Sequence, residues 1–211
     1  MPGDRHRRPT AELVQRAPKV VLHDHLDGGL RPSTIIELAD ETGYRDLPTD
    51  DPIELTHWMQ RGADRKDLGL SLETFAHTVG VMQTTESLRR VARECAEALA
   101  ADGLVNAEVR FGPELHRQRG LSLDDVSEAV LDGFARGSAG TGLTIRIICS
   151  ALRHLEHSFE VAQAAVRWRD QGVVGFDIAG PEDGYPPDDH LFAFQFVQRE
   201  NFHITIHAGE A

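Results

Sequence analysis

The chain has 211 residues, 34 acidic against 22 basic side chains and a formal net charge of −12, with 40% of its residues hydrophobic. That length suits one globular domain, and the charge argues against nucleic acid as a partner, because phosphate binding needs clustered Lys and Arg. No stretch is apolar for long enough to cross a membrane, and Cys95 and Cys149, without C-x-x-C spacing, argue for a reducing compartment and against a cysteine-built metal site.

Residues 1–18 are basic and lack the apolar core of a secretory signal, which predicts a short disordered leader and a cytoplasmic protein. The folded part is expected from residue 19. Val20, Val21 and Leu22 make an apolar run that closes on His23 and His25. Residues two apart on a strand project from one face, so an H-x-H pair in extended backbone presents two imidazoles side by side, a metal-ligand geometry. Asp27 follows on the same face if the strand continues.

Residues 32–102 exceed what one crossover needs, and predict a helical insertion that acts as a lid. Within it, Thr84 or Thr85 is a candidate N-cap, Leu88, Val91, Cys95 and Leu99 keep one stripe, and Gly103 suits a left-handed C-terminal position. A strand is predicted over 104–111. A helix opening on Ser122 and Asp125 follows, with Val126, Val130 and Phe134 on its apolar face. Strands at 143–149, 173–178 and 203–206 then alternate with helices at 156–170 and 188–200. The last strand closes on His207, and Glu210 stands where metal-assisted hydrolysis needs a group for proton handling.

Strands apolar on both faces, alternating with helices, indicate a parallel sheet covered by helices. Two architectures compete, an open doubly wound sheet and a β/α barrel. No G-x-G-x-x-G or G-x-x-x-x-G-K-[ST] motif follows a strand. His23, His25, Asp27, Gly180, His207 and Glu210 all fall at or just after strand ends, where barrels carry their chemistry. The expected fold is therefore α/β, a TIM-type barrel represented by its first five βα units with an insertion after the first strand. Asp177, also near a strand end, either orients the site or caps the following turn.

Four ordered motifs carry a resemblance: H-x-H-L-D-G from His23, A-E-V-R-F-x-P-E from Ala107, G-F-D-I-A-G from Gly175 and H-A-G-E from His207. Together they resemble the adenosine deaminase family of metal-dependent amidohydrolases, in its actinomycete-type branch. The resemblance implies zinc-dependent hydrolytic deamination of adenosine to inosine, with 2′-deoxyadenosine giving 2′-deoxyinosine. It places His23, His25 and His207 on the zinc, His25 also facing the substrate, and Asp27 at the ribose 5′-hydroxyl. It further implies a backbone contact from Gly180 to the purine edge, a lid wall of Leu72 and Phe75, and Glu210 as proton donor to the ring nitrogen. Such a donor needs a raised pKa, which burial beside a purine supplies.

Two departures stand out. Asn106 occupies a position where the family usually has an apolar or aromatic residue. The family pattern also continues beyond H-A-G-E to a histidine and paired aspartates that these 211 residues do not include, so the chain alone is expected to be unstable or inactive. Two alternatives stay open. One is a deaminase for adenine or another purine, against which Asp27 argues because adenine-specific relatives usually carry Glu there. The other is a non-catalytic remnant that binds purines without turnover.

Overall fold

A computed structural model describes residues 8–64 and 68–210. Five strands, β1 (Lys19–His25), β2 (Leu104–Phe111), β3 (Thr144–Leu152), β4 (Val173–Ala179) and β5 (His203–Ile204), form one parallel sheet in sequence order. A doubly wound sheet would reverse its strand order at a switch point, whereas successive neighbours joined by outer helices trace the arc of a barrel. The chain is thus an α/β protein that builds five consecutive strands of such a barrel, the first four each followed by outer helices.

Ahead of β1, Ala11–Arg16 forms a short helix, α1, inside the segment expected to be a disordered leader. The Thr10 hydroxyl accepts from Leu13 N at 3.2 Å, and Lys19 Nζ donates to the carbonyls of Val14 and Gln15 at 3.0 and 3.2 Å. Both ends are therefore capped locally, although no α1 residue is buried. The other leader residues expected to be disordered, 1–7, lie outside the described residues.

Between β1 and β2 run α2 (Pro32–Thr42), α3 (Pro52–Ala63), α4 (Leu68–Val81) and α5 (Thr85–Ala101). The expected insertion over 32–102 divides in two, because α5 packs in the outer layer against α6 (Leu123–Ser138) and is the ordinary crossover helix. Only α2 to α4 are additional. Thr84 caps α5 by a reciprocal box with Ser87, and Ser122 with Asp125 does the same for α6. Gly133 and Gly137 let α6 settle on α5: a Cβ at either would collide with the carbonyl of Arg89 or Arg93. Leu88, Val91, Ala92 and Ala96 of α5 bury against Val126, Val130 and Phe134 of α6 and the β2 and β3 side chains beneath.

The remaining outer helices are α7 (Ser158–Arg167) and α8 (Leu191–Arg199). β3 runs three residues past its expected end, because Ser150, Ala151 and Leu152 pair with Asp177, Ile178 and Ala179. β5 is shorter than expected, with a partner on one side only. Its ladder nevertheless continues, since Thr205 N and His207 N donate to Phe176 O and Ile178 O at 2.9 and 3.0 Å. No helix among the described residues is long and apolar enough to cross a membrane.

Candidate functional site

The sheet pairing of β1 slips between Val21 and Asp24, where three steps along β1 match two along β2. Such a bulge re-aims side chains at the end of a strand. Here His23 and His25 both turn toward His207, which follows β5. The three Nε2 atoms stand 3.1, 3.1 and 3.2 Å from one another. Ligand nitrogens about 2.1 Å from a shared centre at tetrahedral angles stand about 3.4 Å apart, so the cluster has the size of a divalent-metal site. Three mutual hydrogen bonds are a poorer account, because each Nε2 is either an N–H donor or a lone-pair acceptor, so at least two of the three share a role and cannot bond to each other. The donor set therefore fits a metal ion.

The electrostatics favour neutral, ligand-competent rings at His23 and His25. Burial, then the neighbouring His207 and His23, pushes His25 down to about 4. Burial with Arg110 and His207 nearby lowers His23. His207 moves the other way because Asp177 sits against it, with Oδ2 2.8 Å from Nδ1. Asp177 is fully buried, yet its acidity rises above the usual carboxylate value. Burial alone would weaken it, but the contacts with His207, Thr205 and Ser150 outweigh that effect. Ser150 Oγ and Thr205 Oγ1 donate to it at 2.9 and 2.8 Å. A carboxylate behind a ligating imidazole fixes its tautomer and ring orientation.

Beside the histidines a cavity of about 400 Å³ opens, walled by His25, Asp27, Leu72, Phe75 and Gly180 among others. All five residues expected to face the substrate thus meet in one space. Asp27 is buried, and its Oδ2 accepts from Gly112 N at 3.1 Å. Its Oδ1 is buried without a hydrogen-bond partner. Burial raises this carboxyl to about 6 against the opposing pull of the Gly112 N–H. Phe75, from α4, lies edge-on to His25 with ring centroids 6.4 Å apart. Gly180 has φ +93°, a conformation that favours glycine, and a side chain there would press on Leu152 and His154.

Glu210 is exposed and does not line that cavity; its charge acts on His23 and His207. Its backbone is held instead, since Glu182 accepts from Gly209 N and Glu210 N at 2.9 and 2.7 Å. Arg153 donates to the carbonyls of Tyr185 and His207 and fixes the same loop from β3. Sequence reasoning did not single out Arg110, Ser150, Arg153, Glu182 or Thr205. Polar residues inside apolar strand runs, as at Arg110 and Ser150, were the available signal.

Comparison with known proteins agrees with this geometry. The family model described as adenosine deaminase matches residues 18–211. Adenosine deaminase 1 of Streptomyces coelicolor is 57% identical over 97% of this chain and 53% of its own length. Adenosine deaminase of Mycobacteroides abscessus is 56% identical over 95% and 58%. Among solved structures, Arabidopsis ADAL complexed with IMP superimposes with a TM-score of 0.81 at 28% identity, over 95% of this chain and 60% of that one. A Burkholderia ambifaria amidohydrolase with bound Zn gives 0.76 at 26%, over 98% and 57%. The chain spans about half the length of the curated relatives it matches. With its motifs, its partial barrel and its histidine cluster accounted for together, the chain belongs to the adenosine deaminase family.

Proposed function

We propose that the chain serves the zinc-dependent hydrolytic deamination of adenosine to inosine and of 2′-deoxyadenosine to 2′-deoxyinosine, releasing ammonia, in purine salvage. His23, His25 and His207 would hold the zinc, which supplies the Lewis acidity that makes water a nucleophile near neutral pH. The observation that carries the nucleoside reading is Asp27. Its Oδ1 is a buried acceptor without a hydrogen-bond partner, on the wall of a cavity whose volume suits a nucleoside. A ribose hydroxyl supplies the missing donor; a free nucleobase such as adenine leaves it unmet, a costly state for a buried charge.

The other residues take roles set by where they stand. Leu72 and Phe75 cover the base and exclude water. The left-handed turn at Gly180 leaves its backbone open to the purine edge. Glu210, whose backbone Glu182 fixes, would donate a proton to the ring nitrogen as attack at the adjacent carbon breaks conjugation. The unpaired Cys95 and Cys149 support a cytoplasmic setting.

The test is turnover by zinc-reconstituted protein that carries this chain together with the later histidine and paired aspartates of the family pattern, followed by the loss of aminopurine absorbance; the 211 residues alone are expected to be inactive. Adenosine and 2′-deoxyadenosine are expected to be consumed and adenine left. Preferential conversion of adenine would overturn the reading.

A further inference from the structure

Arg110 stands in β2 with 4% of its surface exposed, and its guanidinium reaches away from its own strand. Nη2 donates to Leu22 O at 3.1 Å, one residue before His23. Nη1 lies 3.4 Å from Thr205 Oγ1 and 3.6 Å from Asp177 Oδ2. Those contacts fall on β1, on the extension of β5 and on β4. β1 and β5 are the two opposite edges of the sheet, so sheet hydrogen bonds alone leave their separation loosely set. Yet the imidazoles they carry meet with nitrogens 3.1 to 3.2 Å apart.

We propose that Arg110 is a positioning residue for the metal centre: its planar fork sets the gap between the strand bearing His23 and His25 and the strands bearing Asp177 and His207. The inference rests on the metal-binding part of the function proposed above and not on the identity of the substrate. Charge alone predicts the opposite sign. A buried cation beside a metal site repels the incoming ion, and removing it should tighten binding. Asp177 offsets that repulsion, which leaves geometry as the larger effect of the fork. Lysine preserves the charge as a point on a flexible stem and cannot hold Leu22 O and Thr205 Oγ1 together.

Zinc affinity, measured by competition with a chromophoric chelator, and the visible absorption of the cobalt-loaded chain test the proposal directly. Arg110→Met is expected to bind zinc about 10-fold more weakly or worse, with a shifted or weakened cobalt band. Arg110→Lys should fall between the two, at least about 3-fold weaker than the parent. Parent-like affinity and spectrum in Arg110→Lys, tighter binding by Arg110→Met, or a parent chain that binds neither ion would each overturn the proposal. If Arg110→Met does not fold, Arg110→Lys decides. Adenosine binding measured on the same samples separates the two readings: a parent that binds cobalt but no adenosine sinks the nucleoside reading and leaves the role of Arg110 standing.

Discussion

Replacing Asp27 by Asn tests the site at the atom that distinguishes a nucleoside from a nucleobase. The exchange is nearly isosteric, and an amide oxygen can still accept from Gly112 N, so the loop between β1 and β2 keeps its 3.1 Å tie. What changes is the Oδ1 position, where the amide places an NH2 donor in place of a charged acceptor. A hydrogen bond to a charged acceptor contributes about 1.5–3 kcal/mol, so adenosine should bind about 10- to 150-fold more weakly. Adenine lacks the ribose and should lose less than about threefold. Calorimetric titration of the zinc-loaded protein with each ligand gives both numbers on one sample. Parallel losses for adenosine and adenine would mean that Asp27 only shapes the cavity wall, and unchanged adenosine affinity would remove the ribose contact altogether.

Asp177→Asn should weaken zinc binding by about 10- to 100-fold, because a neutral amide no longer polarises the His207 ring; chelator competition would show it, and parent-like affinity would contradict it. His116 is fully buried with Nδ1 3.0 Å from Met82 O, and burial lowers it from an ordinary value near 6.5 to about 4. The unfolded chain therefore takes up a proton as pH falls through 6.5 while the folded chain does not, so stability drops with acidification. Between pH 7.5 and 5 the parent should lose about 2 kcal/mol more than His116→Gln in urea unfolding, and identical pH profiles would refute the assignment. Gly137→Val should cost about 1–3 kcal/mol by forcing α6 away from the Arg93 carbonyl, read as a lower melting temperature; an unchanged one would show that the helices can shift freely.

The histidine cluster was easier to read from the sequence than what holds it in place. The H-x-H pair and the His after an apolar run follow from period-two projection, and the capping boxes at Thr84 and Ser122 from local hydrogen bonding, so both were legible from neighbours in the chain. α1 was missed because its C-terminal cap comes from Lys19, a residue that reads as the start of the next strand. The role of Asp177 stayed ambiguous because its partners, Ser150, Thr205 and His207, arrive from two other segments and converge only once β3, β4 and β5 are side by side. Arg110 was hidden for the same reason: along the chain it is a charge in an apolar run, and only the curvature of the sheet reveals what it spans.

The histidines that approach within 3.2 Å are 182 positions apart in the chain. During synthesis at 5–20 residues per second, the first pair therefore leaves the ribosome about 10–40 s before its third partner. For that interval two imidazoles on a new strand can capture an ion only weakly and transiently, since a site for a structural or catalytic metal is completed by folding. Metal loading is consequently expected only after His207 has joined the sheet, not while the first pair stands alone on its strand.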